Sequence, residues 1–212
     1  MPGAPETTNT KKLNPKNSHP RWLRLTHWLN ALAVLVMVMS GWRIYNASPL
    51  YGFDFPKSIT LGGWLGGALQ WHFAAMWLLV GVGLFYLLLN LFSGRLSRRF
   101  FPVSPKGFFH DLWSALHGRL GHDDISHYNH VQRVAYLFVI LDITVLVISG
   151  LVLWKSVQFP LLRELLGGYD IARHVHFIAM SLLLAFIAVH LVMVVLVPKT
   201  LWAMIVGHKE RA

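Results

Sequence analysis

Residues 173–194 read RHVHFIAMSLLLAFIAVHLVMV, and this stretch decides the fold. From position 174 to 198 there is no Asp, Glu, Lys or Arg. A hydrocarbon core about 30 Å thick is crossed by about 20 helical residues, so the run is long enough to span a bilayer. Its polar exceptions are histidines. His176 and His190 are 14 residues apart. At about 100° and 1.5 Å per residue they share a face to within about 40° and lie about 21 Å apart along the axis. His174 falls about 160° round from His190, on nearly the opposite face. One helix thus carries two inward imidazoles near opposite sides of the membrane.

Three other stretches have the same character: residues 25–42, 58–94, and 134–154 with Asp142 as its single charge. Gly62, Gly63, Gly66 and Gly67 interrupt the first third of the second, which reads as a loop followed by a helix from about Gln70 to Phe92. Irregular backbone in lipid leaves N–H and C=O groups unsatisfied, so the spans must be helices. The composition, 55% hydrophobic against 13% charged, excludes disorder and weighs against the alternative of a very apolar soluble α-bundle. The expected fold is an all-α integral membrane protein, a four-transmembrane-helix bundle with spans at about 22–45, 70–92, 131–154 and 172–197. The absence of Cys removes disulfides, Cys-bound iron–sulfur clusters, thiol nucleophiles and covalent haem attachment.

Charge sets the expected orientation. Of the 19 Lys and Arg, 14 lie before the first span, between the second and third, or after the fourth; five, Arg43, Lys57, Lys155, Arg163 and Arg173, lie on the other side. The positive-inside rule places both termini in the cytoplasm. Residues 1–20 read as a flexible cytoplasmic tail, 21–205 as the membrane domain and 206–212 as a second tail. No apolar signal-peptide core follows the start. The net charge of +10 is membrane topology, not a nucleic-acid footprint. Residues 46–69, Gly-rich with Tyr51, Phe53, Phe55 and Trp64, suit a periplasmic interface. Phe108, Leu112, Leu116 and Leu120 recur at i+4, as in a short amphipathic helix on the membrane surface, and residues 159–166 are a weaker example. No internal repeat stands out.

Depth pairs the histidines. His27, near the cytoplasmic start of the first helix, is level with His190. His72, near the periplasmic start of the second, is level with His176. Intramembrane ionisable groups mark functional paths more often than ordinary packing. Two imidazoles facing each other can hold a six-coordinate haem iron within a helical bundle. Gly41, Gly81, Gly83 and Ala188 are candidates for making room, although small residues also serve plain helix packing. Zinc needs four ligands at one point. The segment HDDISHYNH, with His122, Asp123, Asp124, His127 and His130, suits it better, the alternative being a solvated loop. A four-helix transporter or metal permease is the reading from another class, and it calls for histidines along one wet path.

The segments HPRWLRLTHWLNALAVLVMVMSG (19–41), WHFAAMW (71–77), HYNHVQRVAY (127–136) and the opening stretch together resemble the prokaryotic di-haem cytochrome b family, of bacterial cytochrome b-561 type. Its members include membrane subunits of nickel–iron hydrogenase, formate dehydrogenase and molybdenum oxidoreductase systems. The resemblance spans nearly the whole chain. It implies two non-covalent haem b groups, one on the cytoplasmic side held by His27 and His190, one on the periplasmic side held by His72 and His176. It also implies a quinone site near the cytoplasmic-side haem, where Asn129 and Gln132 match the family's segment and could bond a quinone carbonyl.

The expected function is transmembrane electron transfer between a periplasmic oxidoreductase subunit, a molybdenum enzyme or a hydrogenase, and the quinone pool of the bacterial inner membrane. A self-contained superoxide:quinone oxidoreductase of the same architecture is the alternative. Asp142 departs from the family, which has an apolar residue there. An ionised Asp at that depth costs about 2.5–3.5 kcal/mol on insertion scales, so it is expected to be neutral or partnered. Arg24, Arg133 and Lys199 are candidates for pairing with haem propionates.

Overall fold

The computed structural model describes residues 21–92, 104–117 and 130–206. Its elements are α1 (Arg21–Tyr45), a single 3-10 turn (Lys57–Ile59), α2 (Leu65–Phe92), α3 (Pro105–Leu116), α4 (His130–Trp154), α5 (Pro160–Leu165), α6 (Tyr169–Leu196) and α7 (Pro198–Ile205). The described residues contain no strand. Four helices, α1, α2, α4 and α6, are long and apolar enough to cross a membrane. At 25 or 28 residues each is about 38–42 Å long. The second span begins earlier than its glycines suggest. Gly66 and Gly67 lie in the first turn of α2, and the loop ends at Gly63 and Trp64. The tails at 1–20 and 207–212, Leu120, and most of the HDDISHYNH segment fall outside the described residues.

The bundle is two hairpins. α1 packs along α2, and α4 along α6. Small side chains line both seams: Ala33, Ser40, Ala68, Ala75, Ser149, Ala172 and Ala179 are buried, and among the described residues the largest side chain with no exposure is Val152. Lipid tails are as apolar as leucine, so membrane helices associate by close packing of small residues. Large side chains such as Trp77, Leu91 and Val195 point outward, 62%, 62% and 77% exposed, where hydrocarbon covers them.

The two hairpins are variants of one unit, a repeat the sequence analysis misses. Val36-x-Val38-x-Ser40-Gly41 in α1 returns as Val145-x-Val147-x-Ser149-Gly150 in α4. Leu61-Gly62-Gly63-Trp64 before α2 returns as Leu166-Gly167-Gly168-Tyr169 before α6. His72-Phe73-x-Ala75-Met76 returns as His176-Phe177-x-Ala179-Met180. The backbone agrees with the letters. Gly62, Gly63, Gly167 and Gly168 all have positive φ, 104°, 70°, 81° and 100°, a region that disfavours a Cβ.

Each end is tied by specific bonds. Beside His27, Arg24 Nη1 donates to the Ile205 carbonyl (3.0 Å) and Trp28 Nε1 to that of Met204 (3.3 Å), anchoring the C-terminal end of α7 to α1. At the other end Asn46 holds Phe55 from both sides, donating to its carbonyl (2.8 Å) and accepting from its N–H (2.9 Å). Tyr45, Phe53 and Phe55 cluster there against Phe177 of α6. Arg173 Nη2 donates to the Ser48 carbonyl (2.5 Å) and hydroxyl (3.1 Å). Rings and long polar side chains thus join one hairpin to the other.

The surface helix α3 docks on α4 through a carboxylate: the His130 N–H, an open donor of the first turn of α4, donates to Asp111 Oδ2 (2.8 Å). Desolvation opposes the Asp111 charge, but this bond, the bond to His110 and the nearby imidazole charges outweigh it and hold the carboxyl below its usual range. A carboxyl depressed on folding stabilises above its unfolded value, and that stability is lost as pH falls through the folded one. Docking of α3 should therefore be intact at neutral pH and loosen below about pH 4. Hydrogen exchange at the His130 amide, corrected for its intrinsic rate, should show protection lost on acidification and absent at all pH in D111A. Equal protection in wild type and variant would contradict the docking.

Candidate functional site

The repeated Ser–Gly step is where the hairpins build the site. Ser40 Oγ donates back to its own helix at Val36 O (2.6 Å), and Ser149 Oγ does the same to Val145 O (2.7 Å). With its proton committed, each hydroxyl can only accept. His72 Nδ1 lies 3.1 Å from Ser40 Oγ and 3.1 Å from Met37 O. His176 Nδ1 lies 2.9 Å from Ser149 Oγ and bonds the Leu146 carbonyl. Faced only by acceptors, each Nδ1 carries the proton and donates it. The tautomer assigned from these bonds leaves Nε2 with a free lone pair, the state of a metal-ligating imidazole whose other nitrogen is oriented by an outer partner.

The glycine after each serine sets the clearance. A Cβ on Gly41 would lie 3.5 Å from His72 Cε1, and one on Gly150 would lie 3.3 Å from His176 Cε1. Of the small residues proposed to make room, Gly41 meets an imidazole, whereas Gly81 and Gly83 have nothing within 4 Å of a Cβ. Ser40, Ser149 and Gly150 were missed from sequence, although the recurring V-x-V-x-S-G could have revealed them. The two imidazoles come from different hairpins, at matching positions of the two copies.

The second pair is formed by α1 and α6. His27 and His190 face each other with ring centroids 6.2 Å apart and planes inclined by 63°. A metal bonded to two imidazole nitrogens at about 2 Å each separates the centroids by about 6 Å, so the pair is spaced for an iron between them. Phe186, one turn before His190, stacks parallel to its ring at 6.1 Å. His174 turns away, as its position on the helix requires: its Nδ1 bonds the Asp170 carbonyl of its own helix (2.8 Å) and its ring meets Tyr51 edge-on.

Further groups suit a ligand bearing carboxylates. Arg24 Nε, one turn from His27, and Trp42 Nε1 and Arg43 Nε, just beyond Ser40, are buried donors with no hydrogen-bond partner among the described residues. Unpaired buried donors are costly, and propionates would satisfy them. Trp42 and Arg43 were not singled out from sequence. Lys199 is exposed, and Arg133 has partners of its own. Asn129 lies outside the described residues, while Gln132 is exposed in the first turn of α4 and is itself partnered. Among the described residues, no three His, Asp or Glu converge as a zinc site requires.

The prokaryotic cytochrome b561 family matches residues 18–207. A protein of Azospira oryzae, named as a putative protein-methionine-sulfoxide reductase subunit YedZ1, is 67% identical over 190 residues, covering 90% of this chain and 96% of that one. With four membrane-spanning helices and this match, the chain belongs to the prokaryotic cytochrome b561 family, a multi-pass haem b protein of the bacterial inner membrane that carries electrons across it.

Proposed function

We propose that the chain holds two haem b groups and serves as the membrane subunit of a periplasmic oxidoreductase, exchanging electrons with the quinone pool. His27 and His190 are the axial ligands of one haem, and His72 and His176 those of the other. The observation that carries this reading is the facing of His27 and His190 across α1 and α6 at 6.2 Å, with a second cross-hairpin pair at the level of the Ser–Gly steps. When bound, the haems supply one-electron redox chemistry. The protein's residues present Nε2 of each imidazole, pin Nδ1 through Ser40 and Ser149, offer Arg24, Trp42 and Arg43 to the propionates, and keep the helix seams dry.

The 14-to-5 bias of Lys and Arg supports cytoplasmic termini, which puts the His27–His190 haem on the cytoplasmic side and the His72–His176 haem on the periplasmic side. Asn129 and Gln132 then lie at the cytoplasmic end as quinone contacts. The relative's name supports a partner that reduces methionine sulfoxide in proteins, and the family resemblance supports a molybdenum enzyme in that role. Electrons would run from quinol through the chain to that partner. Membership of an electron-transfer family and two pairs at separate levels weigh against a transporter, which calls for one continuous wet path.

Reduced-minus-oxidised spectra of the purified protein test the ligand assignment. H190A should lose about half of the b-type absorbance, because each haem depends on its own pair. H174A should keep all of it. Retention of both haems in H190A, or loss in H174A, would refute the pairing. A second variant tests the role of the serines. S149A leaves His176 with the Leu146 carbonyl alone, which makes the imidazole less basic. Outer-partner losses cost about 10–100-fold in metal affinity or activity, and with one acceptor retained the low end is expected. Potentiometric titration should show the potential of one haem raised and the other unchanged, with S149T restoring the original value. An unchanged pair of potentials would remove the serine from the account.

A further inference from the structure

The repeat makes Asp142 conspicuous. Its counterpart in the other hairpin, one heptad before the Ser–Gly step, is Ala33, which is fully buried. Packing at this seam therefore asks only for a small side chain. The α4–α6 hairpin has a carboxyl there instead, 6% exposed, with its Oδ2 lacking any hydrogen-bond partner among the described residues. An ionised carboxylate costs several kcal/mol at this depth, so the group is carried as the neutral acid, with one O–H donor and one carbonyl acceptor to satisfy.

The acid lines a cavity. A space of about 260 Å³ lies between α4 and α6, walled by Asp142, Phe138 and Val145 from α4 and by Val175, Ala179 and Leu182 from α6. Its volume is near the low end of small-molecule sites, about 300 Å³. The rim residues Leu141, Ile178 and Leu182 are 64%, 52% and 44% exposed, so it opens sideways into the hydrocarbon and not to water. It also adjoins the imidazole cradle. Val145 supplies the carbonyl that accepts the Ser149 hydroxyl, and Val175 directly precedes His176. Asp142 stands seven residues from Ser149, about 10 Å along the helix.

We infer that this groove admits a quinone headgroup laterally from the bilayer, with the Asp142 carboxyl as its polar contact. The inference rests on the reading that the chain exchanges electrons with quinone. The chemistry selects the occupant: it must be dissolved in lipid, have an apolar ring or body, and carry a group able to accept or donate a hydrogen bond. The acid's O–H donates a hydrogen bond to the quinone carbonyl, and the acid's carbonyl oxygen accepts one from the quinol hydroxyl. One neutral carboxyl thus serves both redox forms, and the site lies beside the His176 pair, distinct from Asn129 and Gln132.

The test is photolabelling of the haem-loaded protein in nanodiscs with a decyl-tailed azidobenzoquinone, mapped by mass spectrometry, alongside an alkyl azide of equal length. Wild type should be labelled on residues 138–145 or 175–182. Loss of one hydrogen bond should weaken labelling about three- to tenfold in D142A, while D142N, which keeps a donor and an acceptor, should retain it. Ala33 at the matching position shows that alanine is compatible with the packing, and an unchanged haem spectrum verifies it. Undiminished labelling in D142A, or equal labelling by the alkyl azide, overturns the inference in favour of an acyl-chain groove. Labelling confined to the Gln132 segment and abolished by Q132A overturns it and leaves the quinone reading standing. Saturable labelling nowhere removes both.

Discussion

The structure depends on what a histidine N–H can do in hydrocarbon. Every polar group there must find a protein partner, and His72 and His176 find theirs in the same device: a serine whose own proton is spent on its helix, next to a backbone carbonyl. The bond satisfies the imidazole and fixes its tautomer, with Nε2 left free. The glycine that follows lies against the ring: a Cβ would sit at ordinary contact distance from His72, 3.5 Å, and more tightly, at 3.3 Å, against His176. Within each hairpin, close packing of alanines and serines brings the backbones near enough for the device to work.

Built twice, the device places His72 and His176 at matching positions of two matching hairpins. The second histidine pair breaks the match. His27 corresponds to Tyr136 on α4, and His190 to Tyr86 on α2. On the proposed assignment, one haem uses the duplicated positions, while the other uses positions that only one helix of each hairpin has turned into histidine. Asp142 against Ala33 is the third departure. The positions the copies share carry the packing and one histidine pair, and the places where they differ add the second pair and Asp142.

Much of this was legible beforehand. Four nearly uncharged runs mark the four long helices, and the 14-residue spacing of His176 and His190 sets both apart from His174, which bonds its own helix. Depth alone paired His27 with His190. The repeat was hidden because its copies are offset by different lengths: Ser40 and Ser149 by 109 residues, His72 and His176 by 104. No single period aligns them. Gly66 and Gly67 misled because glycine is a weak breaker in a helix whose hydrogen bonds lipid enforces. Ser40, Trp42 and the groove at Asp142 depend on which helix packs beside which, and periodicity within one helix does not contain that information.

On the proposed assignment each chain holds two irons, each between two histidines. The most direct measurement is haem stoichiometry against protein concentration, with low-temperature electron paramagnetic resonance of the oxidised protein. Two haem b per chain and two low-spin signals are expected, one for each imidazole pair. A single haem per chain, or a high-spin signal from an iron with an open position, would contradict the assignment.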